Sequence, residues 1–283
     1  MIVGNDISVY QGTVDWPTYK NNSNFVIIKA SEGKSLIDPW FGGNRKGARD
    51  NNLPRGFYHF ARPDYGNLPE DEAKFFCSLI DGDPIRDGEL LMLDFEVQFH
   101  DSVNWAKAWL DYVSNHFGGV KPLFYSYQSM IKEFDWSVVA NNGYGLWIAA
   151  PTGDPNNNNF YTGPWKMAAM QQWGTEDEVP GIKGAVDADV FFGDLGAFEN
   201  YGYKTPVPIS IPTPEPIVSP VNEPVSIPDP VQSTPPVVTT PVESPVTLPS
   251  TPTQPLTPVN ATQSKLSQFL TLFWNILKLI IIG

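Results

Sequence analysis

Acidic side chains end several short apolar runs, at a spacing that could support acid–base chemistry. Asp94 and Glu96 come directly after four apolar residues. Alternate strand residues share a face, so these two carboxyl groups would project together, with Cα atoms roughly 7 Å apart. Asp6 ends the first apolar run in the same way, and Asp187 and Asp189 repeat the spacing in the last run.

Carboxyl groups that converge on one site repel one another and lose part of their hydration. Either effect raises the pKa of at least one of them. Cleavage of a glycosidic bond needs a protonated acid beside ionised ones. The acid protonates the leaving oxygen, and a carboxylate stabilises the oxocarbenium-like charge or a cyclic intermediate. A single pair of acids spaced by two is a weak indication, because most such pairs are solvated strand ends, turns or helix caps.

Buried strands alternating with helices would position these acids. The segments that read as strands are residues 2–10, 25–30, 56–60, 90–96, 122–127, 145–150, 167–173 and 185–191. Pro69, followed by three acids, starts one helix, residues 101–117 form another, and residues 45–51 form a short one. This order predicts a parallel sheet closed into a barrel with fewer helices than a full TIM barrel, its active-site mouth at the carboxyl ends of the strands. An open doubly wound sheet is the weaker alternative.

Composition divides the chain into three parts. Seventeen of the 28 prolines lie between residues 206 and 258, a stretch without Gly, aromatic residues, Lys or Arg. Such a segment cannot bury a core, so residues 205–262 are predicted to be a disordered Pro-rich linker. Residues 1–204 are then a single catalytic domain. Residues 263–283 are a separate C-terminal segment.

Charge and cysteine content exclude several classes of function. The net charge is −13, most of it in residues 1–204, so a nucleic-acid partner is not expected. Cys77 is the only cysteine, which excludes an internal disulfide and a multi-Cys metal site, and the three His show no close-spaced metal pair. The sequence has no Walker loop or dinucleotide fingerprint. We therefore expect neither a metal nor another cofactor.

Seven segments resemble, in order and spacing, those of the glycoside hydrolase family 25 lysozymes. The match runs from residue 4 to about residue 195. The segments are residues 5–16, 25–33, 56–60, 93–96, 146–149, 172–173 and 186–191. The resemblance implies an irregular, TIM-like (β/α)5(β)3 barrel. It also implies cleavage of the β-1,4 bond between N-acetylmuramic acid and N-acetylglucosamine in peptidoglycan.

The same resemblance implies a role for each site residue. Glu96 matches the proton donor. Asp94 matches the partner acid, which orients and stabilises the reacting sugar. Whether it does so by acting on the substrate's own acetamido group is left open. Asp6 and Asp187 match acids that shape the site and bind sugar, and Asp189, at a position where relatives often have Asn, ranks behind Asp187. The aromatic wall positions are matched by Tyr58, Tyr125 and Trp147.

Structural roles are the alternative for several polar and aromatic residues. His59 fits a hydrogen-bonded core histidine, because it stands within an apolar segment. Tyr125 and Tyr127 are spaced like one packed face of a strand. Lys29 and Glu32 fit a structural ion pair.

Residues 263–283 have an amphipathic pattern. On a helix, a narrow polar stripe would separate apolar faces; it contains Ser264, Ser267, Gln268, Thr271, Asn275 and Lys278. About 20 residues is borderline for a membrane span, and the stripe and two lysines favour a helix lying in a membrane interface. Membrane lipid is therefore an expected partner, with self-association or docking on the barrel as alternatives. The sequence starts without a secretory signal, which predicts production in a host cytoplasm. Action at the bacterial wall is what the family resemblance implies.

Three classes of function fit these observations. The first is a muramidase acting on bacterial peptidoglycan, of the phage endolysin or virion lysin type. The second is a non-catalytic wall-glycan-binding module with a membrane-active tail, and the third is a membrane-active protein whose barrel is an adaptor. The four acids Asp6, Asp94, Glu96 and Asp187 favour the enzyme. A protein that only binds glycan needs no proton donor beside a second carboxylate.

Overall fold

The computed structural model describes residues 1–206 of the chain. The Pro-rich linker predicted for residues 205–262 lies outside this part except for its first two residues. The helix predicted for residues 263–283 lies outside it entirely, so both remain predictions. Within residues 1–206, no helix has the length and apolar character needed to cross a membrane.

Nine strands make a single sheet in the described part of the chain. Their bounds are β1 Ile2–Ile7, β2 Phe25–Glu32, β3 Leu36–Ile37, β4 Arg55–Phe60, β5 Leu90–Asp94, β6 Leu123–Tyr127, β7 Leu146–Ala149, β8 Met170–Glu176 and β9 Val186–Phe191. Eight of them close into a barrel, because β1 pairs with both β2 and β9, while the short β3 pairs with β2 alone. The strands from β1 to β8 run parallel around the ring, whereas β9 is antiparallel to both of its neighbours.

Seven helices connect or follow these strands within residues 1–206. Their bounds are α1 Trp16–Lys20, α2 Phe41–Asp50, α3 Pro69–Asp81, α4 Ser102–His116, α5 Gln128–Glu133, α6 Ser137–Asn141 and α7 Leu195–Tyr201. α3 begins at the proline that predicted it, with three acids in its first turn near the positive end of the helix dipole. Helices follow the first five barrel strands and are absent between β7 and β9. This confirms the α/β class and the irregular (β/α)5(β)3 barrel.

At the mouth of the barrel, β1 and β5 end earlier than predicted. β1 ends at Ile7 rather than at residue 10, because Ser8 and Gln11 cap each other around a 3-10 turn over Val9–Gln11. β5 ends at Asp94, which leaves Glu96 in the loop that follows the strand.

The helix predicted over residues 45–51 is α2, and it begins earlier than predicted, at Phe41.

The core has an inner and an outer part. Between the strands and the helices lie large buried side chains that include Phe57, Phe76, Trp109, Phe124 and Trp136. Inside the barrel, the apolar residues include Phe25, Ile27, Met92, Met170 and Phe191. Phe198 of α7 stacks on Phe25 with ring centroids 5.0 Å apart. Because Phe25 begins β2, this contact closes the end of the barrel opposite the mouth.

The seam between the first and last strands depends on a glycine. Gly4 of β1 pairs with Phe25 of β2 and with Asp189 of β9. A Cβ atom at this position would lie 2.4 Å from the backbone oxygen of Phe25, so a larger residue would push β1 away from β2. The close approach of β1 to β2 lets β1 pair with β9 on its other side. This second pairing sets Asp6 opposite Asp187.

A buried hydrogen-bond network ties the loop after β4 to α3. His59 Nδ1 lies 2.8 Å from Ser31 Oγ, and His59 Nε2 lies 2.8 Å from Glu72 Oε2. Glu72 also accepts hydrogen bonds from the backbone N–H of Arg62 and from the Asn67 side chain. Burial lowers the pKa of His59 below its ordinary value. His59 is therefore the hydrogen-bonded core histidine that its sequence position predicts.

Candidate active site

The barrel gathers the predicted acids at one end. Asp94 is the last residue of β5, Glu96 follows two residues later, and Asp6 is next to last in β1. Asp187 stands near the start of β9. Because β9 runs antiparallel to β1, the start of β9 lies at the mouth, and Asp187 pairs there with Asp6. The mouth therefore collects carboxyl groups from strand ends that are far apart in the sequence.

Asp6 is held by a side chain that the sequence did not single out. Gln172 of β8 donates from Nε2 to Asp6 Oδ2 at 2.8 Å. Its other amide atom, Oε1, accepts a hydrogen bond from the Tyr125 hydroxyl at 3.0 Å. Gln172 thus links the acid of β1 to the tyrosine of β6. Its signal in the sequence is its place in one of the segments that carry the family resemblance.

Asp94 and Glu96 form a strongly perturbed acid pair at the mouth. Burial, followed by repulsion from Glu96, raises the pKa of Asp94 well above its ordinary value. Burial raises the pKa of Glu96 to about 7; repulsion from Asp187 adds to this rise, and the Tyr125 hydroxyl group opposes it. Within residues 1–206, no donor reaches Asp94 Oδ1. The pair therefore holds a proton near neutral pH, as a general acid requires.

The two acids of β9 occupy different environments. Asp187 is exposed and accepts a hydrogen bond from Thr175 Oγ1 at 3.2 Å. Asp189 has no exposed surface, and its Oδ1 accepts a hydrogen bond from Trp147 Nε1 at 2.9 Å. Burial, with repulsion from Asp6, raises the pKa of Asp189 well above its ordinary value. Contact of Asp189 with sugar stays a prediction; in this structure Asp189 is linked to the mouth through Trp147 and Asp6.

The predicted aromatic wall lies beneath the acids. Tyr58, Tyr125 and Trp147 are all buried, with at most 8% of any one side chain exposed. The Trp147 ring centroid lies 4.4 Å from that of Tyr125 and 6.4 Å from that of Tyr58. These rings form a floor that supports the carboxyl groups and keeps water from reaching them from below. Their contact with sugar remains a prediction.

Lys29 supplies positive charge to this acidic mouth. Its ammonium group lies 2.8 Å from Glu32 Oε2, which confirms the predicted ion pair. Its position in β2 places it on the same barrel face as Ile27, directed inward. The ammonium lowers the pKa of both Asp94 and Glu96, opposing the effect of burial. Lys29 therefore acts on the acid pair as well as on Glu32, a role that sequence reasoning missed.

No metal-binding arrangement accompanies these acids. Across residues 1–206, no group of three or more His, Cys, Asp or Glu side chains is placed to hold a metal ion. The chemistry that the described residues offer is proton transfer and electrostatic stabilisation by carboxyl groups.

Comparison with known proteins identifies the barrel. The model of the family described as "Glycosyl hydrolases family 25" matches residues 5–182. The chain belongs to glycosyl hydrolase family 25. It is 30% identical over 224 residues to the protein YegX of Escherichia coli strain K12, an alignment that covers 72% of this chain and 76% of YegX.

Two further family 25 relatives carry names that describe an activity. The chain is 31% identical over 194 residues to an autolytic lysozyme of Clostridium acetobutylicum, covering 66% of this chain and 55% of the lysozyme. The crystal structure of the CTP1L endolysin superposes with a TM-score of 0.60 at 28% identity, covering 71% of this chain and 70% of the endolysin. These likenesses confirm the resemblance in the sequence and assign the chain to the glycoside hydrolases.

The effect of the Lys29 charge on Asp94 and Glu96 can be tested through the pH dependence of the activity. In Lys29→Met, the pKa of both Asp94 and Glu96 should rise, because an ammonium group that favours their ionised forms is removed. The bell-shaped pH profile of kcat/KM should then move to higher pH on both limbs, by at most about one pH unit. Lys29→Arg keeps the charge and should leave the profile in place. An unmoved profile in Lys29→Met would contradict the assignment.

Proposed function

We propose that this chain is an N-acetylmuramidase, which hydrolyses the β-1,4 bond between N-acetylmuramic acid and N-acetylglucosamine in bacterial peptidoglycan. The observation that carries the proposal is the pair of Asp94 and Glu96, which holds a proton near neutral pH at the mouth of a family 25 barrel. The autolytic lysozyme among its relatives supports the same substrate.

Glu96 is the proposed proton donor. Its pKa of about 7 keeps a substantial protonated fraction near neutral pH. Its position in the loop after β5 gives it more freedom to approach a substrate oxygen than a strand position would. The Glu96 proton passes to the oxygen of N-acetylglucosamine as the bond from that oxygen to C1 of N-acetylmuramic acid breaks.

Asp94 is the proposed stabilising partner. Asp94 is 7% exposed, so a small part of it can meet a group of the substrate, while its Oδ1 is buried without a donor among the described residues. In the form of the pair that has its proton on Glu96, the ionised Asp94 can stabilise positive charge at C1 directly, or accept the N–H of the acetamido group as the carbonyl oxygen of that group attacks C1. In the first route, water then adds to C1; in the second, water adds to C1 as the bond from C1 to the acetamido oxygen breaks. In both, the proton of the water passes to Glu96.

Asp6 and Asp187 are proposed to bind sugar hydroxyl groups. Asp187 has the exposed position that such a contact requires. Asp6 is half-buried, and Gln172 holds one of its carboxyl oxygens in place. Tyr58, Tyr125 and Trp147 support these acids from the floor of the site.

We further propose a lytic role of the endolysin type, with production in a bacterial host's cytoplasm and action on its wall. The likeness to the CTP1L endolysin supports this setting. The amphipathic pattern of residues 263–283 supports a second binding target, a membrane surface. An endolysin bound to the membrane would be concentrated beside the wall that it cleaves.

Digestion of purified peptidoglycan tests the reaction. The wild type should release new reducing ends that appear, after borohydride reduction and mass spectrometry, as reduced N-acetylmuramic acid. Glu96→Gln should lower kcat by about 10²- to 10⁴-fold, since the amide cannot donate the proton. Reduced N-acetylglucosamine would contradict the bond assignment. Wall binding without any new reducing ends would favour the non-catalytic glycan-binding module.

Liposome flotation tests the tail. The full chain should float with liposomes, whereas a chain ending at residue 262 should remain in solution and digest peptidoglycan at an unchanged rate. Equal flotation of the two chains would contradict a membrane-binding tail.

A further inference from the structure

Exposed hydrophobic side chains gather around one part of the barrel mouth. Half of the large exposed hydrophobic residues in the described chain lie on the three connections that follow β1, β2 and β4. They are Val9, Tyr10, Leu36, Ile37, Trp40, Tyr65 and Leu68. These strands are parallel neighbours, so the three connections lie side by side at the end of the barrel that holds the acids.

A buried aspartate clamps the first two connections together. Asp38 accepts hydrogen bonds from the backbone N–H of Val9 through Oδ2 and from that of Trp40 through Oδ1, each at 2.9 Å. The 3-10 turn that carries Tyr10 is capped independently, since Ser8 N–H donates to the Gln11 side chain at 2.8 Å. Tyr10 and Trp40 therefore stand on neighbouring segments that share one rigid anchor.

The third connection is anchored to the second. The Arg62 guanidinium lies 3.7 Å from the ring centroid of Tyr65 and donates to Glu32 Oε1 at 2.9 Å. Glu32 in turn binds Lys29 at the mouth. Tyr65 is nevertheless 58% exposed, so its free face remains open to a ligand. The three aromatic residues Tyr10, Trp40 and Tyr65 are called the aromatic rim below.

We propose that the aromatic rim binds the sugar rings of a glycan strand beyond the two rings that flank the cleaved bond. This inference rests on the proposed function and extends it to the length of substrate that the enzyme recognises. Aromatic faces held on anchored loops offer apolar area at low entropic cost, which suits the C–H faces of sugar rings. A strand entering the acid cluster must leave the mouth over its edge, where the rim lies.

Charge favours this occupant over two others. The chain carries a net charge of −13, most of it in residues 1–204, so an anionic lipid surface and a second copy of the domain would both be repelled. Stacking of sugar rings on the aromatic rim needs no positive charge on the protein. An exposed aromatic patch beside a polysaccharide-cleaving site is therefore best explained as a continuation of that site.

The test compares long and short substrates. Tyr10→Ala combined with Trp40→Ala should raise KM about tenfold for peptide-free glycan strands, with kcat changed less than twofold. On a tetrasaccharide of the same sugars, the loss of kcat/KM should be several times smaller. Leu195→Ala removes an exposed hydrophobic residue of α7, away from the mouth, and is the matched control; its KM for strands should equal that of the wild type.

Binding measured without turnover separates this inference from the proposed function. In the Glu96→Gln background, titration calorimetry should show the same tenfold loss of affinity for strands in the double variant. If wild type fails to cleave strands, the muramidase proposal fails, but the calorimetry still tests the rim. Equal losses on strands and tetrasaccharide, or none on either, would overturn the rim as a strand-binding surface. An altered oligomeric state of the double variant would overturn it in favour of self-association.

Discussion

Repulsion among carboxyl groups in a small, partly dehydrated space is the constraint on which this structure depends. Asp6, Asp94, Glu96 and Asp187 would separate if their strands were free to do so. The barrel holds them together, and the free energy of packing elsewhere offsets the unfavourable charge. Because the strands cannot move apart, the cluster relieves its repulsion by keeping protons at neutral pH. Protonation of an acid beside a carboxylate is the property that glycoside cleavage uses.

The features around the acids follow from this constraint. Gly4 brings β1 close enough to β2 for the ring to close, so that Asp6 meets an acid of the last strand. Gln172 and Lys29 moderate the charge, one by a hydrogen bond to Asp6 and the other by a nearby ammonium group. The buried rings beneath the cluster keep its lower side dry and so maintain the raised pKa values. Gln172 and Lys29 thus tune the proton affinity of the cluster, whereas Gly4 and the buried rings maintain the fold that gathers it.

The sequence predicts most of the barrel, because its signals are local. Apolar runs mark the strands, and Pro69 with its acids marks α3. The convergence of Asp6 with Asp94 also follows, since the carboxyl ends of parallel strands meet at one mouth. What local signals cannot supply is the geometry of closure. The antiparallel direction of β9 decides that Asp187 reaches the mouth whereas Asp189 is buried below it, and no pattern within the strand distinguishes the two.

The contact of Gln172 with Asp6 and the effect of Lys29 on Asp94 and Glu96 were missed for the same reason. Each depends on which strands become neighbours across the barrel and not on the residues beside it in the sequence. The same holds for Asp38, a buried aspartate whose role is to join two loops at the mouth. Composition and family resemblance identified the chemistry, while long-range pairing determines which polar side chains tune it.

The proton affinity of Glu96 tests the central claim most directly. Protein labelled with ¹³C at the Glu side-chain carboxyl can be titrated by NMR, with the Glu96 resonance identified by its loss in Glu96→Gln. The carboxyl cluster described above predicts a titration midpoint near 7, well above the ordinary value of 4.5. A midpoint at the ordinary value would show that the mouth neither dehydrates nor crowds this acid, and would contradict the account.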